Sequence, residues 1–403
     1  MLVPETSPKL NSAWAALATA LNLRAHLACS DYYDGDGFRQ VRSRLGMAAV
    51  APKLDDYLWG AHEGAEVILA SYKETAKLSD FGVNTSDGVA RFVAVLVALD
   101  PPLFMGTRVS REGMLSNMFG GSDVQLGVPE IDRALRLTSL DADKLRALLA
   151  PASAQDQAFL GKLSGLAGGG LYVTDSFVGY RLPGSQHDPA MVGACIANAV
   201  WVRNELAARA ARVPKRPHEV ALAESWAGVA RAASLAFDEA RFSLQGVVDG
   251  VALEIALSPT AGAPMTSVSV RWPRPIGVQL RLSKFDPAKG ADKEAGEGAH
   301  RVLFQFLTDV IAQDIRVGDP KFDDAFLVQG FPEDHVRSAL SSPSLRDAMV
   351  RIAKVATEVS MTDQGITWFI QGQAKAAELD EHIRMAVHTA GALFPALDGP
   401  AYR

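Results

Sequence analysis

The chain has 403 residues, of which 48% are hydrophobic and 21% charged, and its formal net charge is −6. These are the proportions of a globular protein, and the length exceeds what one hydrophobic core usually serves. The modest acidic charge is unlike that of a nucleic-acid-binding surface. The longest apolar run, Phe92 to Leu99, is far too short to span a bilayer.

The N-terminus and the cysteines bear on the compartment. Residues Met1 to Thr6 carry neither the basic segment nor the apolar core of a signal peptide. Cys29 and Cys195 fall at non-equivalent places in the repeat described next, so they predict neither a repeated disulfide nor a zinc framework. We therefore expect a soluble, cytoplasmic protein without a transmembrane segment.

The main feature of the sequence is an internal duplication, because five phrases recur in the same order in residues 14–206 and 226–394. The phrases begin at Trp14 and Trp226, Leu58 and Leu244, Val95 and Val268, Gly127 and Gly318, and Val173 and Met361. Five matches in one order predict two domains, residues 1–213 and 219–403. The linker between them contains Pro214 and Pro217.

Each repeat predicts the same elements in chain order. An amphipathic helix carries the Trp, which we expect to anchor the helix on the sheet, and a meander of strands follows. The phrases that begin at Leu58 and Leu244 both read Leu-x-Gly-x-x-acid-Gly, and we expect a tight turn at their final acid-Gly pair. A short strand, helices, a strand pair and a closing helix complete the repeat. The connections are too short for parallel crossovers. The sequence therefore predicts an α+β fold of two tandem pseudo-symmetric repeats, each a mainly antiparallel sheet packed with helices.

The repeats differ by insertions. From Trp14 to Gly60 there are 46 positions, whereas the matching stretch from Trp226 to Gly246 has 20. The first repeat therefore holds an insertion at residues 24–57, and the second holds its own at 284–314. Function often diverges on such segments, because core packing does not constrain their residues. The candidate partner-binding residues are the insertion aromatics, Tyr32, Tyr33, Phe38, Phe304 and Phe306.

Two acidic features could belong to a catalytic or a metal-binding site. Asp132 and Asp323 recur after the Gly-x-Pro phrase and could form an acid–base pair, but an Asp there also suits hydrogen bonding to turn amides. We favour the turn. Residues 31–37 are rich in Asp and Gly, yet they lack the first and last carboxylates of a calcium-binding loop. We expect a polar surface loop.

The remaining motifs predict no cofactor. Gly168 to Gly170 precede a strand rather than a helix, so they fit neither a P-loop nor a dinucleotide site. No catalytic, cofactor-binding or metal-ligating residue is predicted. Residues 301–314 are apolar on nearly every helical face, which favours burial, with an exposed partner or lipid site as the alternative.

One phrase resembles a known group. Residues 318–328 read Gly-Asp-Pro-Lys-Phe-Asp-Asp-Ala-Phe-Leu-Val. This is similar to uncharacterised bacterial proteins that read Gly-Asp-x-x-Phe-Asp-x-x-Phe-x-Val. The likeness covers residues 318–370 and is degraded in the first repeat, where Ile131 and Leu135 replace the two Phe residues. The resemblance implies a bacterial protein and supplies no activity.

Three classes of function stay open. The duplicated scaffold without a catalytic motif favours a non-enzymatic binding or scaffold protein, with another protein as its partner. The first alternative is a carrier of a lipid or other apolar small molecule, which requires a dry cavity of roughly several hundred cubic ångströms. The second is an enzyme of unrecognised type, for which a polar cleft with shifted pKa values would be the sign. The sequence does not indicate an oligomeric state.

Overall fold

The computed structural model describes residues 12–27, 53–76, 88–111, 123–184, 188–258, 264–284 and 315–397. The chain separates into two compact units, residues 1–214 with 259–263 and residues 215–258 with 264–403. Among the helices of the described ranges, none has the length and apolarity needed to cross a membrane.

The first unit begins with a helix and a four-strand meander and ends on a long helix. Its described elements are α1 (Ser12–Leu21), β1 (Arg24–Leu27), β2 (Lys53–His62), β3 (Ala65–Ala76), β4 (Gly88–Ala98), β5 (Arg108–Arg111), α2 (Pro129–Ala134), β6 (Leu135–Thr138), α3 (Ala142–Leu149), α4 (Ala154–Gly168), β7 (Leu171–Thr174), β8 (Phe177–Pro183) and α5 (Pro189–Ala210).

The second unit has the same described elements in the same order. They are α6 (Pro217–Ala233), β9 (Ala236–Asp238), β10 (Ser243–Val248), β11 (Val251–Ser258), β12 (Met265–Arg271), β13 (Gln279–Lys284), α7 (Pro320–Ala325), β14 (Phe326–Phe331), α8 (Glu333–Ala339), α9 (Pro343–Val355), β15 (Glu358–Thr362), β16 (Gly365–Gln371) and α10 (Ala376–Leu397).

The two sheets share one topology. The first has the order β1-β2-β3-β4-β8-β7-β5-β6, and the second has β9-β10-β11-β12-β16-β15-β13-β14. Both hold eight strands, and each strand of the second sheet is the counterpart of the strand eight positions earlier. The strand pairs are antiparallel. The predicted α+β class, with two tandem antiparallel repeats, is confirmed.

The repeated acid-Gly pair forms the tight turn that the sequence predicts. Glu63 and Gly64 have φ values of 49° and 73°, and Asp249 and Gly250 have 49° and 79°. Two consecutive positive φ values match the right-handed twist of the strands that they join, and glycine adopts the second without strain. The turn therefore fixes the same register for β2–β3 and β10–β11.

The other glycine of that phrase lies in a strand, where a helix connection comes close to it. A Cβ added at Gly60 would lie 3.0 Å from Leu23 Cδ2, and one added at Gly246 would lie 2.9 Å from Leu235 Cδ2. Contacts this short leave no room for a side chain. The two repeats therefore keep glycine here for the same packing reason.

One face of each sheet packs against the helices. In the first unit α5 lies against β4 and β8, and in the second α10 lies against β11 and β12. Residues of this inner face recur at every second position along the strands, because successive side chains point to opposite faces of a sheet. Its buried residues include Val67, Leu69, Val95, Val97 and Val178 in the first unit and Leu253, Ile255, Val268, Val270 and Ile366 in the second.

The repeated Trp anchors the first helix of the second unit, as predicted. Trp226 is fully buried, and its ring packs edge-on against Phe242, with a centroid distance of 5.7 Å. Its indole Nε1 donates to the carbonyl of Ala374, 3.1 Å away. The side chain of Trp14 lies outside the described part of the chain.

Several elements differ from the sequence-based expectation. The Gly-x-Pro phrase itself forms a short helix, α2 or α7, before the predicted strand. Helix α4 was not predicted, because Gly161, Gly165 and Gly168 weaken the helical signal. Strand β5 begins at Arg108 and not at Leu103, since residues 99–107 form a connection without regular structure.

The insertion of the first unit is shorter than the stretch 24–57. Residues 24–27 form β1 and residues 53–57 begin β2, and the second unit has both counterparts, β9 and β10. The connection between these strands runs over 25 residues in the first unit, 28–52, and over 4 in the second, 239–242. The unit-specific segment is therefore residues 28–52, which lie outside the described residues.

Candidate functional site

The repeated aspartates tie down backbone amides, as the turn interpretation predicts. Asp132 accepts hydrogen bonds from the amides of Leu126 and Gly127 at 2.8 and 3.0 Å. Asp323 accepts from Val317 and Gly318 at 2.9 and 3.1 Å. Each carboxylate holds the loop that enters the following short helix. The two aspartates lie one in each unit and serve the same structural purpose.

We expect Asp323→Ala to lower stability and leave binding intact. Loss of a side-chain acceptor that orders turn amides costs about 1 kcal/mol. The measurement is a thermal melt, paired with partner binding assayed well below the melting temperature. Exposed Asp324, the next residue, supplies the control variant Asp324→Ala. Unchanged melting with abolished binding by Asp323→Ala would show that this carboxylate belongs to a site.

A third aspartate is buried in the first unit. The Asp175 carboxylate accepts from the amides of Met105, Gly106 and Thr107 at 2.9, 2.7 and 2.8 Å. Burial raises the pKa of Asp175, and these backbone hydrogen bonds act in the opposite direction. Its counterpart Asp363 is only partly buried and accepts from the side chain of Gln364. Asp175 therefore fixes the connection before β5.

The same position of the closing helix carries a titratable residue in both units. Cys195 and His382 are each the seventh residue of their 22-residue helices. His382 Nδ1 accepts from Trp368 Nε1 at 3.4 Å, and burial lowers the pKa of His382 against the raising effect of Glu381 and Glu378. In the first unit, burial raises the pKa of Cys195. Both residues fit core packing.

The described residues contain no group of three or more His, Cys, Asp or Glu that could hold a metal ion. The Asp- and Gly-rich stretch 31–37 lies outside them, so the expectation of a polar loop there stays a prediction.

The outer face of the first sheet, turned away from the helices, is apolar. Strands β3 and β4 carry inner and outer residues alternately, and here both sets are hydrophobic. We call the following residues the outer cluster: Ile68, Ala70, Phe92, Ala94, Leu96 and Phe177, with Trp59 and Tyr172 packed against them. A sheet that is apolar on both faces must be covered on both.

The outer cluster is covered in the protein. Ile68 and Leu96 are each 2% exposed, and Phe92 is 5% exposed. Among the described residues, Arg181 places its guanidinium 4.0 Å from the centre of the Phe92 ring. Tyr172 meets Phe177 edge-on at 5.7 Å, and Trp59 Nε1 donates to Glu66 at 2.6 Å. Aromatic and cationic groups therefore border an apolar centre.

The same face of the second sheet is more polar, although Met265 and Phe369 lie on it. The aligned strands place Glu254 at the position of Ile68, Ser267 at Ala94 and Ser269 at Leu96. The aligned positions of Trp59, Tyr172 and Phe177 hold Gln245, Ser360 and Gly365. Glu254 is exposed, and the Ser269 and Thr367 hydroxyls lie 3.0 Å apart in a hydrogen bond. The second unit thus forms this fold with a solvated outer face.

The difference between the two outer faces is visible in the sequence. Strand β4 contains the continuous apolar run Phe92 to Leu99, whereas β12 alternates Ser and Val at 267–270. Alternation indicates one buried face and a continuous run indicates two. The prediction used this run only to exclude a membrane span, so it missed the outer cluster.

The predicted partner-binding residues lie elsewhere. Tyr32, Tyr33 and Phe38, in the first insertion, and Phe304 and Phe306, in the second, are all outside the described residues. The described strands show where the first insertion is attached. It leaves β1 at Leu27 and returns at Lys53 in β2, and β2 pairs with the outer-cluster strand β3.

No family model matches the chain, and no curated protein matches it. Among solved structures, the crystal structure of the mycobacterial trehalose monomycolate transport factor A is similar at a TM-score of 0.28 with 13% identity. That match covers 44% of this chain and 94% of the other. A likeness at this level does not bear on function.

Proposed function

We propose that the chain is a non-enzymatic binding protein for another protein, and that the first unit carries the recognition residues. The supporting observation is the contrast between two copies of one fold. The inner faces are apolar in both units, so the fold requires them. The outer face is apolar in the first unit alone, so the fold does not require the outer cluster, and we assign it to the specialised role of that unit.

The position of the first insertion favours it over the second as the recognition segment. Residues 28–52 join two strands of the same sheet that carries the outer cluster, and the second unit closes the matching connection in 4 residues. The insertion and the outer cluster are thus two features specific to one unit. Tyr32, Tyr33 and Phe38 supply large rigid side chains, which give much contact area for each rotamer that binding fixes.

We also place this function in the cytoplasm. Cys195 of α5 is a half-buried free thiol, which suits a reducing compartment.

The test starts from affinity capture with the full chain in its native host, followed by binding measurements with the purified partner. The triple variant Tyr32→Ser, Tyr33→Ser and Phe38→Ser should lose binding by at least about tenfold, because aromatic hot spots each contribute about 2 kcal/mol or more. Its melting temperature should stay at the wild-type value, since the removed side chains recognise the partner.

The matched control is the double variant Phe304→Ser and Phe306→Ser in the second insertion. Retained binding by the control and lost binding by the triple variant support the proposal. If only the control variant loses partner binding, recognition lies in the second insertion. If both variants keep partner binding, recognition lies on the shared scaffold. Either result overturns the proposal.

A second candidate is a carrier of an apolar small molecule. The observation in its favour is the outer cluster itself, an apolar group of residues that the second unit lacks at the aligned positions. Solvent extraction of the purified protein followed by mass spectrometry separates the two candidates. A carrier releases an apolar molecule in near-stoichiometric amount, and the binding protein releases none.

A further inference from the structure

A cleft in the first unit contains a buried ion pair. The cleft has a volume of about 170 Å³ and lies between the end of α3, the start of α4 and the end of α5. Asp156 Oδ1 and Arg209 Nη2 lie 2.8 Å apart in it, and the Arg209 side chain is 3% exposed. Apolar residues form most of the remaining wall, namely Ala147, Leu148, Ala150, Ala152, Val213 and Pro214.

The hydrogen-bonding capacity of Asp156 is used within the unit. Its Oδ2 accepts from the Ser153 hydroxyl at 2.7 Å, and its Oδ1 receives Arg209. The Ser153 hydrogen bond and the charge of Arg209 hold the pKa of Asp156 below its ordinary value. Asp156 therefore stays ionised and anchors the guanidinium in one orientation.

Arg209 keeps an unused donor. Its Nε is buried and donates to no acceptor among the described residues, and Glu205 Oε2, 3.9 Å from Nε, is beyond hydrogen-bond distance. The guanidinium plane lies on Phe159, 4.2 Å from the ring centre. A buried unsatisfied donor is costly, so it calls for an explanation such as a bound ion or water.

The second unit shows that the fold does not need this charge. Ser342 caps α9 as Ser153 caps α4, and the third helical residue after the cap is Leu345 in place of Asp156. Leu345 is fully buried. A buried ion pair is often no more stabilising than a well-packed apolar group. The ion pair is therefore a feature of the first unit that this fold does not require.

We propose that this cleft binds a small carboxylate with a short apolar group. Arg209 and Arg212 line the cleft against the single carboxylate of Asp156, so the charged side chains of the lining are net positive, and Glu205, 3.9 Å from Arg209 Nε, is not among the lining residues. Guanidinium groups pair with carboxylates through two parallel hydrogen bonds. The apolar wall takes the hydrocarbon part, and an apolar cavity of about 150 Å³ holds a molecule as large as benzene.

The experiment titrates the full chain with sodium isobutyrate and with neutral isobutyramide, observed by saturation-transfer NMR. Isobutyrate should bind saturably and isobutyramide should not, because the amide has the same shape and no charge. Arg212 is exposed, so Arg212→Glu leaves the fold intact and should weaken isobutyrate binding by roughly tenfold or more. The control Arg231→Glu makes the same charge change in the second unit and should bind as the wild type does.

The double variant Asp156→Leu and Arg209→Met places the Leu of the second unit at position 156 and removes both charges, and it should fold without binding isobutyrate. Three outcomes overturn the proposal: equal binding of the acid and the amide, wild-type affinity in Arg212→Glu, or binding retained by a folded double variant. If the double variant fails to fold, the comparison of Arg212→Glu with Arg231→Glu decides.

Discussion

Ile68→Glu should destabilise the first unit by about 3–5 kcal/mol, the cost of leaving an uncompensated charge in an apolar interior. Ile68 is buried on the outer face of β3, where it pairs with Leu96 of β4. A carboxylate there has no counterion among its apolar neighbours in the outer cluster. Hydrogen exchange read by mass spectrometry resolves the units, so β3 and β4 should lose protection while β11 and β12 keep theirs.

The reverse substitution is the matched control, since it falls on the aligned position of the second unit. Glu254 is exposed on β11, so Glu254→Ile should change stability by no more than about 0.5 kcal/mol. The same pair of residue types is thus exchanged in both directions within one chain. Equal effects of the two variants would contradict the difference between the outer faces.

Trp226→Ala should destabilise the second unit by about 3–5 kcal/mol, through lost burial and the cavity that remains. The fully buried indole packs on Phe237 and Phe242 and joins α6 to the sheet. Denaturant unfolding followed by circular dichroism should show an earlier transition for this unit.

The variant Trp226→Phe distinguishes the contribution of aromatic packing from that of the indole hydrogen bond. The smaller ring preserves most of the aromatic contact. It leaves the carbonyl of the buried residue Ala374 without its hydrogen-bond donor. We expect a loss of about 1–3 kcal/mol, between those of the wild type and Trp226→Ala. Wild-type stability of Trp226→Ala would show that the helix does not depend on this anchor.

The sequence predicts the duplication and the class of fold because the repeated residues have local physical duties. Gly64 and Gly250 adopt a positive φ, and Asp132 and Asp323 bind turn amides. Such duties depend on residues near in sequence, so they leave a readable pattern. Local hydrogen bonds also begin helices α3 and α9, where the side chains of Asp141 and Ser342 accept from the third helical amide.

The candidate sites depend on contacts between residues distant in sequence, and these leave a weaker pattern. Asp156 and Arg209 meet across two helices, and the sequence shows neither as a partner of the other. The outer cluster assembles from β3, β4 and β8, whose order in the sheet follows from tertiary pairing. The partner-binding role of Tyr32, Tyr33, Phe38, Phe304 and Phe306 stays a prediction.

Two copies of one fold thus use their outer sheet faces differently. Cysteine accessibility at aligned positions tests this difference most directly, with Ile68→Cys and Glu254→Cys introduced separately after Cys29 and Cys195 are replaced by Ala. A soluble thiol reagent should label Glu254→Cys in the folded protein at close to the rate of an unfolded thiol. It should label Ile68→Cys at least about a hundredfold more slowly, since modification there waits for opening of the fold. Equal labelling rates at the two positions would contradict the account.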